Sequence, residues 1–237
     1  MLIRNNQHGK DWRIEKLKLC SMNKTRVSIV FSYCLFMIFY LVSFALLEQR
    51  TVQTSMVMSR IDKYIPFCEY FIVPYLFWFV YLVFMAVYFG FFCEDLKEVK
   101  RLSRSMMVGM SVFLLISFLF PNGHTLRPVL KEGNVFVQLV QWLYRIDTST
   151  NVFPSMHVFC TLAAAIAFLR QKSLMKLKGF KVSIHLITIL IILSTLFLKQ
   201  HSVYDVAGAF CLNFICYALF YRDGILVHRK KTVMFHH

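Results

Sequence analysis

Two histidines stand where polar loops turn into apolar segments: His157 in Asn151-Val152-Phe153-Pro154-Ser155-Met156-His157, and His201 in His201-Ser202-Val203-Tyr204-Asp205. If a helix starts at the second, a carboxylate four residues after an imidazole shares its face. Asp205 then fixes one ring nitrogen of His201 and leaves the other with its lone pair exposed. That is a nucleophile. His157, at the start of a different helix, supplies the proton that a leaving alkoxide needs. Pro154 at a first helical position leaves the next backbone N–H groups unpaired at the positive end of the helix dipole, a place for an anion. Arg127 offers a fork of donors matched to phosphate oxygens, Lys199 a point charge, and Ser155 and Ser194 hydroxyls. The combination predicts phosphate chemistry carried by histidine.

Each group also has a plainer use. A serine inside a helix bonds its own backbone, which weighs on Ser194, and a lysine ending a span anchors it at the interface, which weighs on Lys199. His124 is a weaker candidate for added charge. Tyr144 and Asp147 read as solvated loop residues, and Gly208 between Ala207 and Ala209 as close helix packing. His157, His201 and Asp205 are acceptable zinc ligands, but Asp205 is better placed to orient its neighbour, and Arg127 and Lys199 repel a cation. The reading has no metal and no cofactor. The seven cysteines show no paired spacing and suggest neither a disulfide framework nor a metal site.

The elements that must position these residues are transmembrane. With 58% hydrophobic residues, 25 Phe and a mean hydropathy of +0.58, the chain is not an ordinary soluble protein. Apolar runs predict an all-α, six-span membrane domain over 27–221. The spans are Val27–Leu47, Ile72–Phe92 with Pro74 near its start, Ser105–Phe120, Pro154–Leu169, Val182–Leu198 and Val203–Phe220. Residues 1–26 and 222–237 form basic tails, the first suited to the headgroup layer. Residues 94–104 read as a charged loop, and the stretch from Pro121 to Asn151 as the longest polar connection. With the N-terminus inside, 20 of the 27 Lys and Arg lie on the inner side, so both termini are expected in the cytoplasm. The site residues then face outward. The net charge of +15 falls in short blocks between spans, which points to anionic lipid headgroups and not to nucleic acid.

Phe153-Pro154-Ser155-Met156-His157 resembles the PSxH motif of the type 2 phosphatidic acid phosphatase (PAP2) superfamily. Ser194 through His201 to Asp205 keeps the spacing of its SRxxxxxHxxxD motif, and Arg127-Pro128 resembles the end of its KxxxxxxRP motif. Phe120 and Thr195 occupy the places of a motif lysine and arginine. The likeness runs from about Ser105 to Leu219. It implies metal-independent phosphoryl transfer: His201 attacks phosphorus, Asp205 supports it, His157 protonates the departing oxygen, and Arg127, Ser155 and Ser194 bind phosphate oxygens, with Lys199 replacing lost charge. The expected function is a phosphatase acting at the outer face of the cell membrane on a lipid phosphate monoester or polyprenyl pyrophosphate. A lipid phospho-headgroup transferase on the same scaffold is the alternative, and a non-enzymatic lipid transporter or scaffold a third reading.

Overall fold

The computed structural model describes residues 24–222, so the expectations for most of both tails lie outside the described residues. Eight α-helices carry the fold: α1 Lys24–Glu48, α2 Ile72–Val87, α3 Leu96–Leu119, α4 Val135–Ile146, α5 Met156–Leu169, α6 Lys172–Met175, α7 Phe180–Phe197 and α8 Val203–Phe220. Two short strands, β1 Ser55–Met56 and β2 Asn122–Gly123, pair in parallel at the loop end. The fold is mostly helical, and among the described residues five stretches are long and apolar enough to cross a membrane: α1, Glu69–Phe92, α3, α7 and α8. The expected fourth span, α5, has 14 residues, about 21 Å of helix.

That short helix is the hub. It packs against α2, α3, α7 and α8, and ten of its residues are buried, with Ala163, Ala164, Ala165 and Ala167 letting neighbours approach. Gly109 of α3 shows how close: a Cβ there would lie 1.9 Å from the Phe159 ring. Gly208 is filled likewise, by Phe153 of the loop before α5, 2.5 Å from where its Cβ would stand. By contrast, only Arg26, Tyr40 and Leu47 of the 25 residues of α1 are buried. An apolar cavity of about 450 Å³ lies between the first half of α1, the end of α2 and α3.

Three sequence readings are corrected. The charged stretch 94–104 is not a loop: Asp95 accepts from the Lys97 and Glu98 N–H groups and starts α3 at Leu96, nine residues before the expected span. Glu98 is buried there between Arg101 and Arg170, at 2.6 and 3.0 Å. The polar connection holds the amphipathic α4, capped by Asn134, and α4 is anchored when Tyr144 Oη donates to the Leu198 carbonyl at 2.7 Å. Pro154 is not the first residue of α5. It precedes the N-cap, Ser155, and follows Phe153 through a cis bond.

The candidate phosphoryl-transfer site

His201 sits in a link of three residues, Lys199 to His201, between the C-cap of α7 and the N-cap of α8. α7 ends in a Schellman turn: the Lys199 N–H donates to the Leu196 carbonyl (3.1 Å) and the Gln200 N–H to that of Thr195 (3.0 Å). Lys199 takes the left-handed conformation at φ 54° that glycine usually supplies. α8 starts with a capping box, in which the Ser202 N–H donates to Asp205 Oδ2 at 2.7 Å and the Asp205 N–H to Ser202 Oγ at 3.2 Å. His201 therefore precedes its helix, and its contact with Asp205 crosses the cap rather than running along a helix face. Nδ1 of His201 lies 3.5 Å from Asp205 Oδ2. Asp205 is fully buried and His201 is 8% exposed.

The α5 start is bound to the same turn, because the Ser155 N–H donates to the Asp205 carbonyl at 3.0 Å. That bond brings the two imidazoles together: His201 Nε2 lies 3.4 Å from His157 Nδ1. His157 is bracketed by the rings of Trp78 and Tyr75, centroids 4.3 and 4.7 Å away. Among the described residues, no group of three His, Cys, Asp or Glu is arranged to hold a metal ion.

The remaining candidates are gathered around this pair but turned to other tasks. Ser155 Oγ caps α5 by accepting from the Val158 N–H at 3.4 Å. Ser194, fully buried, donates to the Ile191 carbonyl of its own helix at 2.6 Å. The Lys199 ammonium donates to the carbonyls of Asp62 and Ile65, at the end of the 3₁₀ turn Arg60–Lys63. Burial lowers its pKa. Asp62 returns the link, because its Oδ1 accepts from the Val203 N–H at 2.8 Å.

Arg127 is a clamp on its surroundings. One guanidinium nitrogen donates to the carbonyls of Asp147 (2.6 Å) and Tyr144 (3.4 Å). The other donates to the Thr148 carbonyl (2.8 Å) and to Gln200 Oε1. The group also lies 4.6 Å over the Tyr144 ring, and burial lowers its pKa. His124 is held in one tautomer, with Nε2 donating to the Gln200 carbonyl (2.8 Å) and Nδ1 accepting from the Leu126 N–H (3.3 Å). Burial pushes its pKa down, so the ring is neutral.

A cavity of about 470 Å³ runs from the histidines to apolar side chains of α1, α2, α3 and α4. Tyr40, Phe44, Trp78, Phe113 and Trp142 form an apolar wall, and His157, His201, Gln200 and Asp147 its polar end. Asp147, read from the sequence as a solvated loop residue, and Tyr75, which that reading passed over, both line the cavity. Tyr75 Oη donates to Asp147 Oδ2 at 2.9 Å, and burial raises the Asp147 pKa against the opposing effects of Tyr75, His201 and Arg127. The one sequence signal was proximity, four residues before the Asn151 turn. No protein-family description, characterised protein or solved structure matches this chain.

Proposed function

We propose that this chain is a six-span membrane enzyme, with both termini in the cytoplasm, that transfers a phosphoryl-containing group from a lipid phosphate through a covalent bond to His201. The observation that carries the reading is the His157–His201 pair, 3.4 Å apart, opening onto a cavity whose other wall is apolar. A lipid tail can stay against that wall while its headgroup reaches the imidazoles.

In the first step His201 Nε2 bonds to phosphorus, the bond to the leaving oxygen breaks, and His157 gives that oxygen a proton. Asp205, whose Oδ2 stands 3.5 Å from His201 Nδ1, stabilises the charge on the ring. In the second step His157 takes a proton from water or an alcohol, whose oxygen attacks phosphorus and releases His201. An in-line displacement places phosphorus about 3 Å from the attacking nitrogen and the leaving oxygen about 3 Å from the acid. The rings must therefore part from 3.4 Å as the phosphate enters. With water as acceptor the enzyme is a phosphatase for a lipid phosphate monoester or pyrophosphate. With a lipid or sugar alcohol it is a headgroup transferase. Arg127 and Lys199 already donate to protein carbonyls, so neither takes the place of the motif cations missing at Phe120 and Thr195.

The test is turnover of radiolabelled lipid phosphates by purified protein in EDTA, with and without acceptor alcohols, followed by base-stable, acid-labile label on the protein. Label that appears in wild type and not in His201→Ala supports the reading. Turnover that survives in His201→Ala refutes it.

A further inference from the structure

Gln200, the residue beside the nucleophile, is 2% exposed and borders the cavity. Its amide is not free to rotate, because Oε1 accepts from the Arg127 guanidinium, which fixes the NH₂ group on the opposite branch. That Nε2 is buried with no hydrogen-bond partner. A buried unpaired donor costs about 1–3 kcal/mol, so its place next to His201 calls for an acceptor.

The charges around the cavity say which acceptor. Its polar end has two imidazoles, the carboxyl of Asp147 and the neutral side chains of Thr148, Thr150 and Asn151, and neither Arg127 nor Lys199 lines it. Glu48 stands just behind, accepting from Thr150 Oγ1 and from Asn151 Nδ2 at 3.2 and 2.6 Å. A doubly charged phosphate monoester or a pyrophosphate would meet the carboxyl of Asp147, with Glu48 behind it, and no Lys or Arg among the lining residues. A singly charged phosphodiester needs less: neutral donors for its two non-bridging oxygens and a proton for its leaving oxygen.

We propose that Gln200 Nε2, aimed by Arg127, is the donor to a non-bridging phosphate oxygen, and that the substrate is therefore a phosphodiester lipid rather than a phosphate monoester or pyrophosphate. The inference rests on the phosphoryl-transfer reading above and narrows it. The chemistry balances as before. The His201 Nε2–P bond forms, the P–O bond to the diacylglycerol breaks, and the proton of His157 goes to the diacylglycerol oxygen. The phospho-headgroup then passes from His201 to an acceptor hydroxyl or water.

The experiment compares purified wild type, Gln200→Glu, Gln200→Met and His201→Ala on phosphatidylglycerol, phosphatidylcholine, phosphatidate and undecaprenyl pyrophosphate in mixed micelles with EDTA. Gln200→Glu keeps the shape and an acceptor for Arg127 but loses the N–H donors; Gln200→Met keeps the volume alone. A diester is expected to exceed both phosphatidate and the pyrophosphate at least tenfold in kcat/KM. Both Gln200 variants are expected to lose about 10²-fold in kcat on that diester with KM little changed, the mark of a donor used in the transition state. Dihexanoyl phosphatidylcholine should also raise the melting temperature of wild type and not of Gln200→Glu. Equal or faster turnover of phosphatidate or the pyrophosphate, abolished in His201→Ala, overturns the inference and leaves the parent reading intact. Diester turnover that survives in both Gln200 variants removes the donor role. Absence of turnover on every lipid, in protein that melts cooperatively, overturns both.

Discussion

Arg127→Lys separates two uses of one cation. A guanidinium touching phosphate is partly replaced by an ammonium, since the charge survives. A guanidinium bracing the fold is not, since one nitrogen cannot reach four acceptors spread over Tyr144, Asp147, Thr148 and Gln200. A hydrogen bond to a charged group contributes about 1.5–3 kcal/mol when buried. Arg127 is half-buried, and lysine keeps about two of its four contacts, so the expected loss is about 2–3 kcal/mol after allowance for solvent screening. The loss falls on the loop that fixes Gln200 beside His201, so kcat drops together with stability. The assay is a thermal melt in detergent paired with initial rates over a range of substrate concentration. Wild-type stability and kcat with only a raised KM would refute the clamp and return Arg127 to phosphate binding.

Other substitutions probe the remaining geometry. Lys199→Met should lower the melting temperature and activity together by releasing residues 62–65, whereas a lysine that binds phosphate would affect KM alone. Asp205→Asn leaves the α8 cap largely in place and should reduce kcat by roughly 10²–10⁴-fold; a loss under threefold contradicts support of His201 by the carboxylate. Gly109→Ala must displace the Phe159 ring from 1.9 Å and is expected to destabilise by about 1–3 kcal/mol, read from the same melt. A pH series tests Asp147. Its carboxyl binds a proton more tightly folded than unfolded, so stability falls as pH climbs from the ordinary carboxylate range through the raised value. Asp147→Asn should flatten that decline, and an unchanged slope would exclude the residue as its source.

The apolar runs of α1, α7 and α8 were legible because burial in lipid demands long uncharged segments; the spacing of His201 and Asp205 predicts a pairing along a helix face, but His201 precedes the α8 cap and the contact crosses it. What was not legible depended on where side chains spend their donors. Arg127 and Lys199 are cations of the right kind near the right histidine, and no pattern within the sequence announces that carbonyls 17 to 137 residues away take their protons. Asp147 was misread for a related reason. It lies in a polar connection, yet Tyr75 from a different span holds it at the cavity. The start of α3 was missed because its first turns are charged, a composition that resembles a loop until Asp95 is seen capping the backbone.

α1 has a mechanical character that its sequence conceals. Near one end, the Arg26 guanidinium donates to the Gly90 carbonyl at 3.2 Å and to that of Cys93. At the other, Glu48 accepts from Asn151, and just beyond it Arg50 donates to the Ser117 carbonyl at 2.7 Å. Between these fastenings the helix borders two cavities along much of its inner side. It is a strut pinned at both ends, with few buried side chains between the pins. Tyr40, Leu41 and Phe44 lie between the fastenings and line the second cavity, so changes in their bulk are expected to alter its width and not the hydrogen bonds at either end.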